Sequence, residues 1–160
     1  MLFRSAGAQE WPKGYSLGIT YEVPKGTGSL RRERPYVTLW ITDEKGDLVR
    51  TLAYFGGKRR YFDENYVFWR RNGAANQAII DSVTRPTRGP GQYSLVWDGL
   101  DDRGKPVAQG KYTLFVEAAR ERGGHSLQRI DLTVGTQDFT ASAAAGGELG
   151  NTKVVYGRRA

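Results

Sequence analysis

An all-β fold, an antiparallel sandwich of two sheets, is predicted by three observations. Apolar residues recur at every second position in a series of short runs, turn-forming residues separate those runs, and the β rhythm lapses in one segment alone, residues 56–88. A period of two places successive side chains on opposite faces of a strand, so each run has one face to bury and one to leave in water. At 160 residues the chain is long enough for one complete core and short for two. Residues 15–160 are therefore read as a single domain behind a flexible lead-in, residues 1–14.

Tyr15 to Val23 is a strand with Leu17, Ile19, Tyr21 and Val23 on one face, and the glycine- and arginine-rich stretch from Pro24 to Arg34 is an exposed loop. After Pro35, Val37, Leu39 and Ile41 face one way while Tyr36, Thr38 and Trp40 face the other. Asp43-Glu44-Lys45-Gly46-Asp47 supplies the turn into a partner strand from Leu48 to Phe55. A short helical insertion over about residues 62–80 follows. Asp63 is placed to cap it, Phe62, Tyr66 and Trp69 have helical spacing, Asn72-Gly73 ends its first piece, and a second turn runs from Ala74 to Ile80.

The run from Gly89 to Ala119 is the centre of the pattern. Tyr93, Leu95 and Trp97 share a face in its first arm, and Tyr112, Leu114, Val116 and Ala118 share one in its second. Between them Asp98-Gly99, Asp101-Asp102-Arg103-Gly104 and Pro106 predict a β-hairpin. Past a polar turn at Arg120 to Gly124, the strand from Ser126 to Val134 carries Ile130, Leu132 and Val134 on one side. The Ala-, Ser- and Gly-rich stretch from Gly135 to Gly147 is read as a flexible loop, and Leu149 to Tyr156 as the closing strand. About seven strands joined mostly by turns, with one helical insertion, make an immunoglobulin-like sandwich. The hairpin residues Trp97-Asp98-Gly99, Pro106-Val107-Ala108, Gly110 and Tyr112 also resemble the immunoglobulin-like domain of the bacterial flagellar hook-capping protein. That resemblance implies a sandwich and no flagellar role.

Composition removes several function classes. There is no cysteine, so disulfides, thiolate metal sites and cysteine nucleophiles are absent. No apolar run approaches the about 20 residues of a membrane span. The opening MLFRSAGAQEW lacks the apolar core of a secretory signal, so either a signal has been removed or the protein never had one. A net charge of +7, from 24 basic and 17 acidic residues, favours encounters with anions. The basic residues are dispersed in small clusters with no nucleic-acid-reading module, so nucleic acid is not the expected partner.

From about Tyr15 to Tyr156 the chain also resembles the predicted periplasmic family called domain of unknown function 2271. Arg34-Pro35-Tyr36-Val37 with Trp40-Ile41, Leu48 to Leu52, Trp69-Arg70-Arg71, Pro90-Gly91-Gln92-Tyr93, and Gly110-Lys111-Tyr112 leading to Glu117 through Glu121 match in order. The resemblance implies periplasmic residence after signal removal, and an accessory role beside PepSY-type membrane proteins and flavin transferases. It implies no established catalytic activity. Asp81 to Arg88 is similar to the acceptor motif on which a flavin transferase attaches FMN through phosphate to a threonine hydroxyl, and by position Thr87 is the acceptor. Arg85-Pro86 stands where family members often carry Gly-Ala, replacing backbone freedom with a charge and a fixed φ. The competing reading of this segment is a rigid loop feeding the next strand.

Other constellations are weaker. Asp98, Asp101 and Asp102 lack the spacing of a calcium loop and suit turn caps. His125 is the only histidine; a metal site needs three or four ligands, so a surface or turn-packing role is expected and no metal is assigned. Ser82 and Ser94 have no Gly-x-Ser-x-Gly context, and the glycines form no phosphate loop, which disfavours a hydrolase or a nucleotide site. Trp40 and Trp97 are assigned to the core. Trp69, Arg70 and Arg71, with Arg85, Arg88 and His125, are the candidate ligand or partner surface. The expectation is a non-catalytic periplasmic binding or accessory module with a protein partner at the membrane, linked to a redox or iron-handling system. The alternative is a carrier of covalent FMN at Thr87.

Overall fold

Among the described residues the chain forms nine strands. The structure, a computed structural model, describes residues 9–25, 35–55, 66–68, 82–86, 89–120 and 124–158. The strands are β1 (Tyr15–Val23), β2 (Tyr36–Asp43), β3 (Leu48–Phe55), β4 (Thr84–Arg85), β5 (Gly91–Trp97), β6 (Gly110–Ala119), β7 (His125–Val134), β8 (Phe139–Ala143) and β9 (Thr152–Arg158), and a described helical turn, α1 (Tyr66–Phe68), lies between β3 and β4. Two antiparallel sheets result, one in the order β5-β1-β9-β8 and one in the order β3-β2-β6-β7. The two-residue β4 joins the free side of β3 in parallel.

The sheets pack face to face on the residues that alternation marks as inward. Leu17, Ile19, Tyr21 and Val23 of β1 meet Val37, Leu39 and Ile41 of β2, Leu114, Val116 and Ala118 of β6, and Ile130, Leu132 and Val134 of β7 in one cluster. Trp97 seals one end, fully buried, with its indole N–H donating to the Leu100 carbonyl at 3.0 Å. Trp11 stands edge-on to it with centroids 4.9 Å apart. Within the lead-in, the described residues 9–14 are held by backbone bonds, Trp11 N–H to Val107 O at 3.0 Å and Gln109 N–H to Gln9 O.

Two expectations are corrected. The run from Gly89 to Ala119 is not a hairpin: β5 pairs with β1, while β6 pairs with β2 and β7 in the other sheet. Alternation marks apolar faces, and those faces meet in the core whether two strands lie edge to edge or across the sandwich. The turn residues fold a small loop of their own, with Asp101 N–H to Lys105 O at 2.8 Å and Val107 N–H to Gly99 O at 2.8 Å. The stretch from Gly135 to Gly147 is not wholly a loop, because it contains β8, paired with β9 from Phe139↔Tyr156 to Ala143↔Thr152. Small side chains with little strand preference hide it, although Phe139, Ala141 and Ala143 pack on the core. Of the insertion over 62–80, α1 is described and the remainder lies outside the described residues.

Candidate functional site

The outward face of β3-β2-β6-β7 carries large side chains where the other sheet carries small ones. Antiparallel register sets Trp40 beside Phe115, Thr38 beside Glu117 and Tyr54 beside Thr38. Trp40 stacks on Phe115 at 5.1 Å, Phe68 of α1 lies 5.1 Å from Trp40, and the Arg129 guanidinium sits 5.9 Å over the Phe115 ring. Trp40, Tyr54, Phe68 and Phe115 thus form a second apolar cluster, joined by Val67 and Val83. Trp40 is buried as expected, but in this outer cluster and not between the sheets.

Glu117 is the residue around which this face is built. Its side chain is fully buried, and it accepts the backbone N–H of Val67 and of Phe68, each at 2.9 Å. His125 Nε2 lies 2.6 Å from its second oxygen. A buried carboxylate is costly unless donors surround it, and here they come from two elements, α1 and β7. The consequence is mechanical: one side chain of β6 stitches the insertion to the sheet. At the same end Arg120, nearly buried, pairs with Glu148, which ties the β6–β7 turn to the approach to β9.

Beyond the insertion the face is open. A groove of about 520 Å³ runs over Thr42, Thr113 and the edge of Phe115, with Lys45, Lys111, Asp43 and Glu44 in its lining and with Arg129 and Asp131 there 3.5 Å apart. Its far end is the β2–β3 turn, fixed by the Asp43 carboxylate, which accepts the N–H groups of Lys45 and Asp47 at 2.9 Å.

The family model described as a predicted periplasmic protein (DUF2271) matches residues 16–151. The chain belongs to DUF2271. Its residence is accordingly periplasmic. The matched span takes in the sheet face, the insertion and Glu117, and ends at Asn151, one residue before β9. No curated protein matches the chain.

The residues expected to form a surface in this DUF2271 chain fall unevenly. Trp69, Arg70, Arg71, Thr87 and Arg88 lie outside the described residues, and Arg85 is described through its backbone, which pairs with Phe55 in β4. His125 opens β7 beside the turn, partly exposed, and its Nε2 engages Glu117. Glu117 was not singled out by the sequence reading. The available signal was an acidic residue inside the apolar run Leu114-Phe115-Val116-Glu117-Ala118-Ala119, because a charge placed there must find partners.

The aspartates behave as turn caps. Asp98 accepts the Leu100 N–H, and Asp101 accepts those of Arg103 and Lys105. The hydrogen bond from the Lys105 backbone N–H is the main cause of the lowered pKa of the Asp101 carboxyl. Asp102 reaches β3, where it accepts the Thr51 N–H at 2.8 Å and the Thr51 hydroxyl at 3.2 Å. That clamp lies where the β2–β3 register slips between Leu39↔Ala53 and Trp40↔Thr51. Burial raises the Asp102 pKa in spite of those two bonds. Among the described residues no group of three His, Asp or Glu side chains is arranged to hold a metal ion.

Proposed function

We propose that this periplasmic chain is a non-catalytic accessory module that binds a protein partner at the membrane, in a redox or iron-handling system of the PepSY and flavin-transferase kind. The observation that carries the reading is the investment in position on the outer face of β3-β2-β6-β7. A fully buried Glu117 is spent on two backbone N–H groups of a three-residue turn and on one histidine. That arrangement holds α1 on the sheet face beside a charged groove and commits the Glu117 carboxylate to structure.

The scaffold is in this proposal immunoglobulin-like. β1 with β5 in one sheet and β3-β2-β6-β7 in the other follow the B–E and C′-C-F-G pairings of that class. Tyr112, at the start of β6, donates its hydroxyl to the Ala108 carbonyl at 2.6 Å, the bond of a tyrosine corner. In such scaffolds the sheet faces and loops carry recognition.

Capture from detergent-solubilised membranes tests the module, using the wild type and a Lys111→Glu/Arg129→Glu double variant at exposed groove positions. A membrane protein held by the wild type and released by the variant supports it. Retention of none, or equal retention by both, removes it.

The second reading, covalent FMN at Thr87, is favoured by the position of its flanks. β4 fixes residues 84–85, Gly89 accepts the Tyr93 hydroxyl at 2.6 Å, and Pro86 between them is exposed. The described flanks, residues 84–86 and Gly89, thus stand beside the edge strand β3. Coexpression with a flavin transferase followed by intact mass and visible absorbance decides it: an adduct lost in Thr87→Ala makes the chain a flavin carrier, and an unmodified chain ends that reading.

A further inference from the structure

We propose that the outward face of β5-β1-β9-β8 is a docking surface for a second copy of this chain. Register places Val96, Gly18 and Val155 in one row across three strands, with Ser94, Thr20 and Lys153 in the next. Val96 and Val155 are 43% and 50% exposed, among the few large apolar side chains in water within the described residues. Between them Gly18 leaves a notch: a side chain added there meets nothing nearer than the Val155 carbonyl oxygen at 3.7 Å.

Two ridges and one notch in a row are self-complementary. A two-fold axis parallel to the strands and midway between β1 and β9 sets Val155 of each copy over Gly18 of the other, twice by symmetry. It also sets Lys153 over Thr20, within a long side chain's reach of Glu22, the next outward residue of β1. The strands of the two faces then run nearly aligned, as in sheet-on-sheet packing.

Charge selects a second copy as the occupant. The chain carries +7, so two copies repel unless they meet on a face without that excess. The outward positions of these strands carry one Lys and one Glu, Lys153 and Glu22, and no Arg. Four strands about 4.8 Å apart and six residues of about 3.3 Å give a footprint of about 400 Å². That is below the about 800 Å² per partner of a standard stable interface, so the dimer is reversible and appears at high concentration.

Sedimentation equilibrium between about 5 and 500 μM tests this, since weak interfaces fall in that range. The wild-type mass is expected to rise from 17.8 kDa towards twice that value. Gly18→Val fills the notch and is expected to raise the dissociation constant at least about tenfold. The melting temperature of the dilute variant stays the same or rises, because valine suits an extended strand position better than glycine. Val155→Lys is expected to abolish the dimer outright. A wild type that sediments as a monomer throughout, or a dimer that survives both substitutions, overturns the proposal.

Discussion

The two outward faces of the sandwich follow the same period-two rule and come to opposite ends. On β1, β5, β8 and β9 the outward residues are chiefly Gly, Ser, Thr and Val, and they remain in water. On β2, β3 and β6 they include Trp40, Tyr54, Phe115 and Glu117, all buried, in company with Val67 and Phe68 of α1. Alternation therefore says which side chains enter the main core. The bulk of the other set says whether a second layer covers them.

Breaking the covered face should have the largest effect. In Glu117→Ala the N–H groups of Val67 and Phe68 lose their acceptor in a buried place, and His125 loses its anion. A loss of about 3–5 kcal/mol is expected, in the range for removing one partner of a buried pair. Thermal denaturation measures the loss. Hydrogen exchange locates it: the amides of α1 lose protection first, while those of β1 and β9 keep theirs. Uniform loss across both sheets would mean that Glu117 supports the whole fold and not the excursion alone.

The next effect belongs to the clamp at the β3 register slip. Thr51 is fully buried and its hydroxyl donates to Asp102, so Thr51→Val should cost about 1.5–3 kcal/mol, as for bonds to charged groups. The clamp also has a pH signature. Because the folded-state pKa of Asp102 is raised, the native state holds its proton more tightly than the unfolded chain between pH 3.8 and that raised value. Stability from this group therefore falls as pH rises through that window. Asp101 has the opposite sign: its contribution is present above pH 3.8 and is lost as pH falls through its lowered folded pKa. Urea titrations across the acid range should show Asp102→Asn flattening the first slope and Asp101→Asn the second. Below these comes Tyr112→Phe, which removes one hydroxyl bond at the corner between β5 and β6 and should lower stability by about 1 kcal/mol in the same titration.

What could be read from the chain tracks how local each cause is. The inward sets Leu17 to Val23, Val37 to Ile41, Tyr112 to Ala118 and Ile130 to Val134 needed no more than their own spacing. The turn at Asp43 to Asp47 and the one after Ala119 were legible because their strands pair directly. The passage from β5 to β6 was not, since edge pairing and face packing leave the same apolar pattern, and which edge is free depends on β1 far upstream. β8 was missed because only Phe139 and Thr140 favour a strand, and Ala141, Ser142 and Ala143 run on into an Ala- and Gly-rich stretch with no large apolar alternation. The Glu117 site joins α1, β6 and β7, and its hydrogen bond to Val67 spans 50 residues. Nothing in one segment announces a contact of that kind, although a glutamate in an apolar run does announce that some contact must exist.

The smallest expected effect sharpens the comparison because it repeats the chemistry of Thr51 on the bare sheet. Thr20 lies on β1 with its hydroxyl 3.4 Å from that of Ser94 across the strand pair, both exposed to water. In Thr20→Val the branched shape is kept and water replaces the lost partner for Ser94. The change in stability should therefore stay within about 0.5 kcal/mol at concentrations where the chain is monomeric. The same substitution on the two sheets then differs by the whole cost of stranding a buried acceptor. Equal losses at Thr20 and Thr51, measured by urea titration under one buffer, would mean that the face of β5-β1-β9-β8 is as dry as its counterpart.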